Sequence, residues 1–203
     1  YWDGALALCA DMHQSALRPD TVLCSALVSA CEKGREWQWA SHVLQQTRRS
    51  GPQPNTVTCN AVISACGRGG KAAHALRHFR DMAGQALRPD VVSFNAAISA
   101  ACEDRGERAW RRSLQFLLEA RQRGVEPDAI SHGAATDACQ RHRQWRGALR
   151  LLSQMRRTAS KPGHAQLSSL LSACSACGRW ATVLHLTEGL LASRTAPNIL
   201  APG

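Results

Sequence analysis

The chain contains no apolar run close to the ~20 residues that a membrane-spanning helix needs, because polar residues interrupt its aliphatic stretches every few positions. It also lacks the short motifs of several enzyme classes. A Gly-rich run ending in Gly-Lys-Ser/Thr indicates a nucleotide hydrolase, Gly-x-Ser-x-Gly a serine hydrolase, and His-x-Glu with a later Pro-Cys-x-x-Cys a zinc deaminase. These absences predict a chain that is not an enzyme, uses no cofactor, binds no small-molecule substrate and does not enter a membrane.

Acidic residues are scarce relative to basic ones, and lysine is scarcer still. Asp and Glu number 15 against 25 Lys and Arg, and only three of those 25 are Lys. Because the guanidinium group of Arg matches the oxygens of a phosphate, this balance favours an acidic polymer as the partner. A generally basic soluble surface would show the same excess. With 44% hydrophobic residues the chain can bury a substantial core, which argues against disorder.

Proline and tryptophan recur with a regular spacing. Six prolines follow one another at intervals of 35, 35, 38, 35 and 35 residues: Pro19, Pro54, Pro89, Pro127, Pro162 and Pro197. Tryptophan keeps the same phase once three extra residues near 101–108 are allowed, with only Ala72 breaking the series of Trp2, Trp37, Trp110, Trp145 and Trp180. The chain is therefore built from a repeated unit.

One unit has the pattern of two helices joined by a turn. Apolar residues lie at helical spacing between positions 57 and 65, glycines interrupt them at 67–70, and a second apolar face follows at 72–82. The Leu-Arg-Pro-Asp sequence at 87–90 ends the second helix, because proline disfavours helix in the residue before it. Neither helix can bury its apolar face alone. Neighbouring units must stack, which predicts an all-α fold of the α-solenoid type.

The nine cysteines have the placement of reduced packing residues rather than of disulfides. Five of them recur near the end of the first helix of each unit, just before the turn between helices: Cys31, Cys66, Cys102, Cys139 and Cys174. Cys174 and Cys177 form a lone Cys-x-x-Cys without partner ligands nearby, and the pair His74 and His78 lacks the Glu of a metalloprotease helix. We expect no metal site, and we interpret the two histidines as a surface pair.

The sequence at 91–100, Val-Val-Ser-Phe-Asn-Ala-Ala-Ile-Ser-Ala, resembles the pentatricopeptide repeat family, as do Ala-Leu-Arg-His-Phe-Arg-Asp-Met at 75–82 and Leu-Arg-Pro-Asp at 87–90. The tetratricopeptide family is the nearest alternative, but its units have 34 residues and lack the Pro-Asp that precedes Val-x-x-x-Asn. The resemblance implies a right-handed superhelix and one array over 1–203, with a partial unit at 1–20, full units at 21–55, 56–90, 91–128, 129–163 and 164–198, and the start of another at 199–203. Because the chain begins at Tyr1 inside a helical pattern, we expect a fragment of a longer protein with any targeting peptide upstream.

The resemblance also implies a function, which is sequence-specific binding of single-stranded RNA with one base held per repeat. In that family the fifth residue of the first helix and the last residue of the unit read the base. The corresponding pairs are Ser25 with Asn55, Asn60 with Asp90, Asn95 with Asp128, Gly133 with Gly163, and Ser168 with Asn198. The second residue of each unit would flank the base: Val22, Val57, Val92, Ile130 and Ala165. Family resemblance further implies a mitochondrial or chloroplast location and RNA-processing proteins as additional partners.

The chemistry of the pairs predicts which bases they read. A carboxylate accepts the ring N–H of uracil, a carboxamide can donate as well as accept, and a short hydroxyl leaves room for a purine. With the chain parallel to RNA from 5′ to 3′, the five pairs read A, U, U, unspecified and A. The fourth base is unspecified because Gly133 and Gly163 offer no side-chain donors or acceptors. We interpret that unit as degenerate.

Other interpretations fit the same residues. Asp and Asn directly after proline are also good N-caps for the helix that follows, and both roles can hold together. A helical solenoid can instead be a protein-interaction scaffold, with Arg side chains holding acidic protein segments. A third interpretation places a nuclease or modifying domain beyond Gly203, so that the whole protein would be an enzyme with this array as its targeting arm.

Overall fold

The structure, a computed structural model, describes Gly4 and residues 21–50, 53–104, 106, 108–157 and 164–178. In these ranges the chain forms nine α-helices and no β-strand, which confirms the all-α prediction. No helix in the same ranges is long and apolar enough to cross a membrane. The helices are α1 Thr21–Gly34, α2 Trp37–Ser50, α3 Thr56–Arg68, α4 Ala72–Gly84, α5 Val91–Glu103, α6 Ala109–Gln122, α7 Ala129–Arg141, α8 Trp145–Arg157 and α9 His164–Ala176.

The helices form two layers. The first helices of the units, α1, α3, α5, α7 and α9, pack one against the next and make up the first-helix layer. The second helices, α2, α4, α6 and α8, make up the second-helix layer. Each of them packs against its own first helix and against the first helix of the following unit. This is the predicted α-solenoid, in which each hairpin is stabilised mainly by its neighbours.

Small residues allow the first helices to pack on several neighbours at once. In α5, alanine and cysteine fill most of the buried positions, and in α3 a Cβ on Gly67 would lie only 3.0 Å from the Cβ of Ala100. Cys66 and Cys102 lie near the ends of the same two helices and are fully or almost fully buried. Small side chains at these buried positions suit the packing, because a larger side chain would push the helices apart.

Aromatic side chains link successive units in the core. The ring of Phe79 on α4 lies 5.1 Å from that of Phe94 on α5 and 5.3 Å from that of Phe116 on α6, both edge-on. All three are buried. Edge-to-face contacts of this kind add to the free energy gained from burial alone, so the core is continuous across the boundary between the second and third units.

The tryptophans occupy equivalent places at the starts of second helices. Trp37 is the first residue of α2, Trp145 is the first of α8, and Trp110 is the second of α6. Trp37 reaches the next hairpin, where its ring lies 5.0 Å from that of His74. A Cβ on Gly69 would come within 2.7 Å of the same indole. Trp37 therefore packs on the adjacent unit, and Trp180 lies outside the described residues.

The three extra residues of the third unit lie between its helices. The turn from α5 to α6 spans 104–108, whereas the turn from α3 to α4 spans only 69–71. The third extra residue is Ala109, which begins α6 one position earlier than Trp37 begins α2. Thus the turn takes up most of the insertion and no helix is interrupted, because exposed turns tolerate added residues better than packed helices do.

The cysteines are packing residues. All eight that the structure describes are free thiols. Burial raises the pKa of Cys139 to about 12 and the pKa of Cys102 to about 11, so both stay protonated near neutral pH and are poor nucleophiles. The thiol of Cys177 donates to the carbonyl oxygen of Arg143 at 3.1 Å. No group of three His, Cys, Asp or Glu side chains suited to a metal occurs in the described part of the chain.

The interpretation of the two histidines as a surface pair is wrong for one of them. His74 is exposed, but His78 is buried and its Nε2 lies 3.3 Å from the Oγ of Ser41 on α2. Burial, together with the nearby positive charge of Arg48, holds the pKa of His78 below its ordinary value. The imidazole is therefore neutral at pH 7 and acts as a packing residue between two second helices.

The close approach of α3 and α5 can be tested by adding a side chain at Gly67. We expect Gly67→Val to lower the free energy of unfolding by about 1–3 kcal/mol, which is typical of an overpacked core, because its Cβ would lie 3.2 Å from the Cα of Ala100. Gly84→Val is the matched control, since a Cβ there meets nothing within 4 Å. Urea denaturation of both variants measures the difference. Equal losses would mean that crowding against Ala100 does not explain the result, because helix propensity favours Val over Gly at both sites.

Candidate nucleic-acid interface

One face of the first-helix layer carries a row of exposed aliphatic side chains. Val22, Val57, Val92 and Ile130 are 75%, 62%, 58% and 65% exposed, although they are the second residues of helices whose other large apolar residues are mostly buried. Covering such a side chain with an apolar surface is favourable in free energy, because it removes apolar area from water. These are the predicted base-flanking residues; the side chain of the fifth, Ala165, lies outside the described residues.

Two of the predicted base-reading pairs are joined directly by hydrogen bonds. The Nδ2 of Asn60 donates to Oδ1 of Asp90 at 3.1 Å, and the Nδ2 of Asn95 donates to Oδ2 of Asp128 at 3.1 Å. The members of each pair are 30 and 33 residues apart in sequence. The two members of a pair meet because the last residue of a unit directly precedes the first helix of the next unit. That helix packs beside the first helix of the unit itself.

The last residue of each of these units also caps the next helix. The side chains of Asn55, Asp90 and Asp128 accept hydrogen bonds from backbone N–H groups three residues later, each at 2.8 Å. All three have extended backbone conformations, as N-cap residues normally do. The N-cap interpretation of these residues is therefore correct. One side-chain oxygen of each is held by the cap, which limits the atoms left for a ligand.

Hydroxyl side chains that the sequence interpretation missed connect these residues. Thr58, Ser93 and Ser131 are the third residues of α3, α5 and α7, and all three are buried. Ser93 donates to Oδ1 of Asn60 at 2.6 Å. Ser131 makes the equivalent hydrogen bond to Asn95. The signal for them was present in the sequence, since a Ser or Thr three residues after an Asp or Asn cap is the arrangement of a capping box with its members exchanged.

The first pair is joined through such a hydroxyl. The Oγ of Ser25 lies 2.7 Å from the Oγ1 of Thr58, and Thr58 in turn donates to Oδ1 of Asn55 at 2.8 Å. The Ser25 hydroxyl also lies 2.8 Å from the carbonyl oxygen of Thr21, which is a second acceptor for its single proton. The structure thus brings Ser25 and Asn55 to one place without a direct hydrogen bond between them.

The remaining predicted site residues are only partly described. Gly133 lies on α7 at the position equivalent to Asn95 and offers no side chain, and its partner Gly163 lies outside the described residues. Ser168 lies exposed on α9, and its partner Asn198 lies outside the described residues. The reading of the fifth base therefore stays a prediction from sequence.

A groove runs along the exposed face of α5. It has a volume of about 610 Å³ and contains the pair Asn95 and Asp128 between the flanking side chains Val92 and Ile130. Gly67 and other small residues also line it, as do three charged residues: Arg35, Arg68 and Glu103. An apolar clamp around a few convergent polar atoms is the usual composition of a site for a flat organic ring.

The two carboxyl groups of the site are ionised. Burial by itself would raise the pKa of Asp90, but hydrogen bonds from the backbone N–H of Ser93 and from the Asn60 amide outweigh it and lower that pKa below the ordinary value. The pKa of Asp128 is lowered in the same way, with Ser131 and Asn95 as donors outweighing burial. Near neutral pH both side chains can therefore only accept hydrogen bonds from a ligand.

Charge is divided unequally between the two layers. The described first helices carry equal numbers of charges of each sign: Lys33, Arg68 and Arg141 against Glu32, Glu103 and Asp137. Some of these are paired, as in the 3.1 Å ion pair between Arg141 and Glu103. The described second helices carry eleven Arg against only Asp81 and Glu119. Most of the arginine excess therefore lies away from the predicted base-reading residues, with Arg35 and Arg68 as the cations beside the groove.

Known structures share this architecture. PPR10 from maize superposes with a TM-score of 0.74 and 24% identity, over 98% of this chain and 28% of that chain. PPR10 in complex with an 18-nt psaJ RNA element superposes with a TM-score of 0.63 and 23% identity, over 99% and 27%. The PPR domain of Arabidopsis thaliana protein-only RNase P 1 in complex with tRNA superposes with a TM-score of 0.71 and 17% identity, over 83% and 88%. The chain thus spans little more than a quarter of the maize protein.

Sequence models of repeat families match as well. A model of the PPR repeat family matches residues 54–103, and a model of the pentatricopeptide repeat domain matches residues 7–69. No curated protein matches the chain in sequence. The two models cover helices on both sides of the boundary between the first and second units, where the cap and the paired polar residues recur. By its repeat sequence and its fold, the chain belongs to the pentatricopeptide repeat family.

Proposed function

We propose that the chain binds single-stranded RNA in a sequence-specific way, holding one base per repeat along the exposed face of the first-helix layer. The observation that carries the proposal is the groove on α5. There an ionised carboxylate and a carboxamide, Asp128 and Asn95, lie together between two exposed aliphatic side chains. Bases have apolar faces and polar edges, so a base inserted between Val92 and Ile130 would place its edge on the polar pair.

The cap determines which atom is offered to the base. In Asp90, Oδ1 accepts the cap hydrogen bond and the bond from Asn60, while Oδ2 accepts none from the described residues. That oxygen can accept the ring N–H of uracil, which cytosine lacks at the same place. Asp128 divides its bonds between the two oxygens and keeps acceptor capacity on Oδ2. We therefore assign uracil to both units.

The same reasoning supports adenine for the first unit. Asn55 uses its Oδ1 to cap α3, so the Nδ2 group remains to donate a hydrogen bond to the base. Ser25 has a short side chain that leaves room for a purine, whose ring nitrogens accept such a bond. The proposed reading of the array is A, U, U, unspecified and A, from 5′ to 3′.

We propose that the whole protein acts as an adaptor in RNA processing, stability, editing or translation in a mitochondrion or chloroplast, without catalysis by this region. Family membership supports this proposal. The RNA complexes of the maize and Arabidopsis proteins support RNA as the ligand. Proteins of RNA processing would be the further partners, because an array that only binds RNA must act through other factors.

A second candidate function is a scaffold that binds acidic protein segments. The observation that favours it is the arginine-rich second-helix layer, which contains none of the predicted base-reading residues and includes the exposed Arg77, Arg80, Arg111 and Arg112. Arginine is enriched at protein interfaces as well as at phosphates. In this function the acidic partner would occupy the second-helix layer, and the exposed valines would stay uncovered.

A binding series separates the two functions. We expect the chain to prefer RNA of the type AUUNA over variants with one changed base, and its affinity to fall as salt rises, because neutralised phosphates release counterions. Five units with one unspecified base give modest affinity, so a longer array that contains them should bind more tightly. Poly-glutamate is the competing ligand. Equal affinity for poly-glutamate and RNA, or no effect of any base change, would favour the scaffold.

A further inference from the structure

In α3, α5 and α7 the third residue is a buried serine or threonine. The hydroxyl group of each contacts a side chain of the preceding unit. Ser93 of α5 contacts Asn60 of α3 at 2.6 Å, and Ser131 of α7 makes the same contact with Asn95 of α5. Thr58 of α3 contacts Ser25 of α1 at 2.7 Å. The partner in every case is the fifth residue of the preceding unit, and the contact is therefore a repeated feature of the array.

The hydroxyl proton of Ser93 has two acceptors within reach, Oδ1 of Asn60 at 2.6 Å and Oδ1 of Asp90 at 2.9 Å. The carboxylate oxygen already accepts the Ser93 backbone N–H and the Asn60 amide. The Oδ1 of Asn60 has no other donor among the described residues. Since a hydroxyl has one proton, it belongs on the shorter bond, to Asn60.

This bond fixes the orientation of the Asn60 amide. With Oδ1 held by Ser93 and one Nδ2 hydrogen held by Asp90, the side chain cannot exchange the places of its oxygen and nitrogen without breaking both contacts. The remaining Nδ2 hydrogen then has a defined direction. Without the hydroxyl, a flipped amide would set its oxygen against the Asp90 carboxylate, and only the second contact would oppose the flip.

We propose that Thr58, Ser93 and Ser131 are positioning residues that set the base preference of the preceding repeat by orienting its reading side chains. The proposal rests on the proposed function, because it assigns a role in reading RNA. The proposal states that a residue of one unit influences the base specificity of the unit before it. Ser93 shares a helix with Asn95, yet it acts on the base read by Asn60 and Asp90.

The hydroxyl can be removed without removing the cap. The Asp90 side chain accepts the backbone N–H of residue 93 at 2.8 Å, and that bond remains in Ser93→Ala. The backbone N–H of Asp90, which contacts the Ser93 hydroxyl at 3.2 Å, loses its partner. Because that group lies at an exposed residue, water can replace the lost bond. The variant should therefore fold, and thermal melting of each variant verifies this.

The test compares Ser93→Ala, Ser131→Ala and the conservative Ser93→Thr on RNA with single changes at the second and third bases. We expect Ser93→Ala to reduce discrimination at the second base by about threefold to tenfold, the range for one lost hydrogen bond, and to leave the third base unchanged. Ser131→Ala should do the reverse. Ser93→Thr should keep discrimination at both bases, since it retains the hydroxyl.

A measurement without RNA tests the positioning itself. In NMR spectra the side-chain amide protons of Asn60 should exchange faster with water in Ser93→Ala than in the natural protein, while those of Asn95 stay unchanged. Loss of overall affinity with unaltered discrimination, or an unaltered Asn60 amide, would overturn the proposal. If the natural protein itself discriminates at neither base, the proposed function fails, and an altered Asn60 amide would then show a hydroxyl with a structural role only.

Discussion

Phe94→Ala is expected to lower the free energy of unfolding by about 3–5 kcal/mol, the range for truncating a buried Phe. The side chain is almost fully buried on α5 and lies edge-on to Phe79 of the preceding helix. Its loss would leave a cavity between two hairpins and remove an aromatic contact. Each hairpin of a solenoid depends on its neighbours, so the damage should spread to both adjoining units.

Urea denaturation followed by circular dichroism measures this effect, with Val92→Ala as the matched control on the same helix. Val92 is 58% exposed, so its truncation should change stability by less than about 0.5 kcal/mol. It should nevertheless weaken RNA binding, because Val92 is a predicted base-flanking residue. Similar stabilities of Phe94→Ala and the natural protein would show that the core is not continuous across these units.

Asp90→Asn is expected to change the preference at the second base from uracil to cytosine. In the variant, Oδ1 can still accept the backbone N–H of Ser93 that now binds Asp90 at 2.8 Å. The atom offered to the base then becomes an amide nitrogen, which donates where the carboxylate accepted. A wrong base at a hydrogen-bonded site commonly costs about 1–3 kcal/mol. The relative affinity for the two bases should therefore change by about fivefold to over a hundredfold.

The experiment compares RNA with U or C at each of the two uracil positions. Only the second base should respond, because the third is read by Asn95 and Asp128. Asp81→Asn removes the same charge from the second-helix layer and is the matched control, which should leave both preferences as they are. An equal response at both positions, or the same response in the control, would indicate a general electrostatic effect and contradict the assignment of this pair.

Local patterns were sufficient for the order of the helices. The 35-residue phase, the prolines that end each unit and the glycines between helices all act within one hairpin, so the positions of α3, α4 and α5 could be predicted. The exposure of Val57 and Val92 could not be predicted from these local patterns. Both are apolar residues of a helix that the sequence pattern alone would assign to the core, and their assignment to a ligand came from family resemblance.

Contacts between hairpins could not be derived in this way. The burial of His78 depends on Ser41 of the preceding second helix, and spacing along α4 alone does not specify that neighbour. The hydroxyls of Thr58 and Ser93 illustrate the same limit. Each is an ordinary capping residue within its own helix, and each contacts a residue 33 positions earlier only because the units stack.

By itself the sequence determined that the chain is an array of helical hairpins, since this follows from repeat phase and helix-breaking residues, whereas the reading positions are a prediction from family resemblance. Only the tertiary structure decided that Asn60 meets Asp90, that one oxygen of each cap residue is already occupied, and that arginine gathers on the second-helix layer. The physical reason is that hydrogen bonds and charge separation depend on distances across the stacked units, and spacing along the chain does not specify those distances.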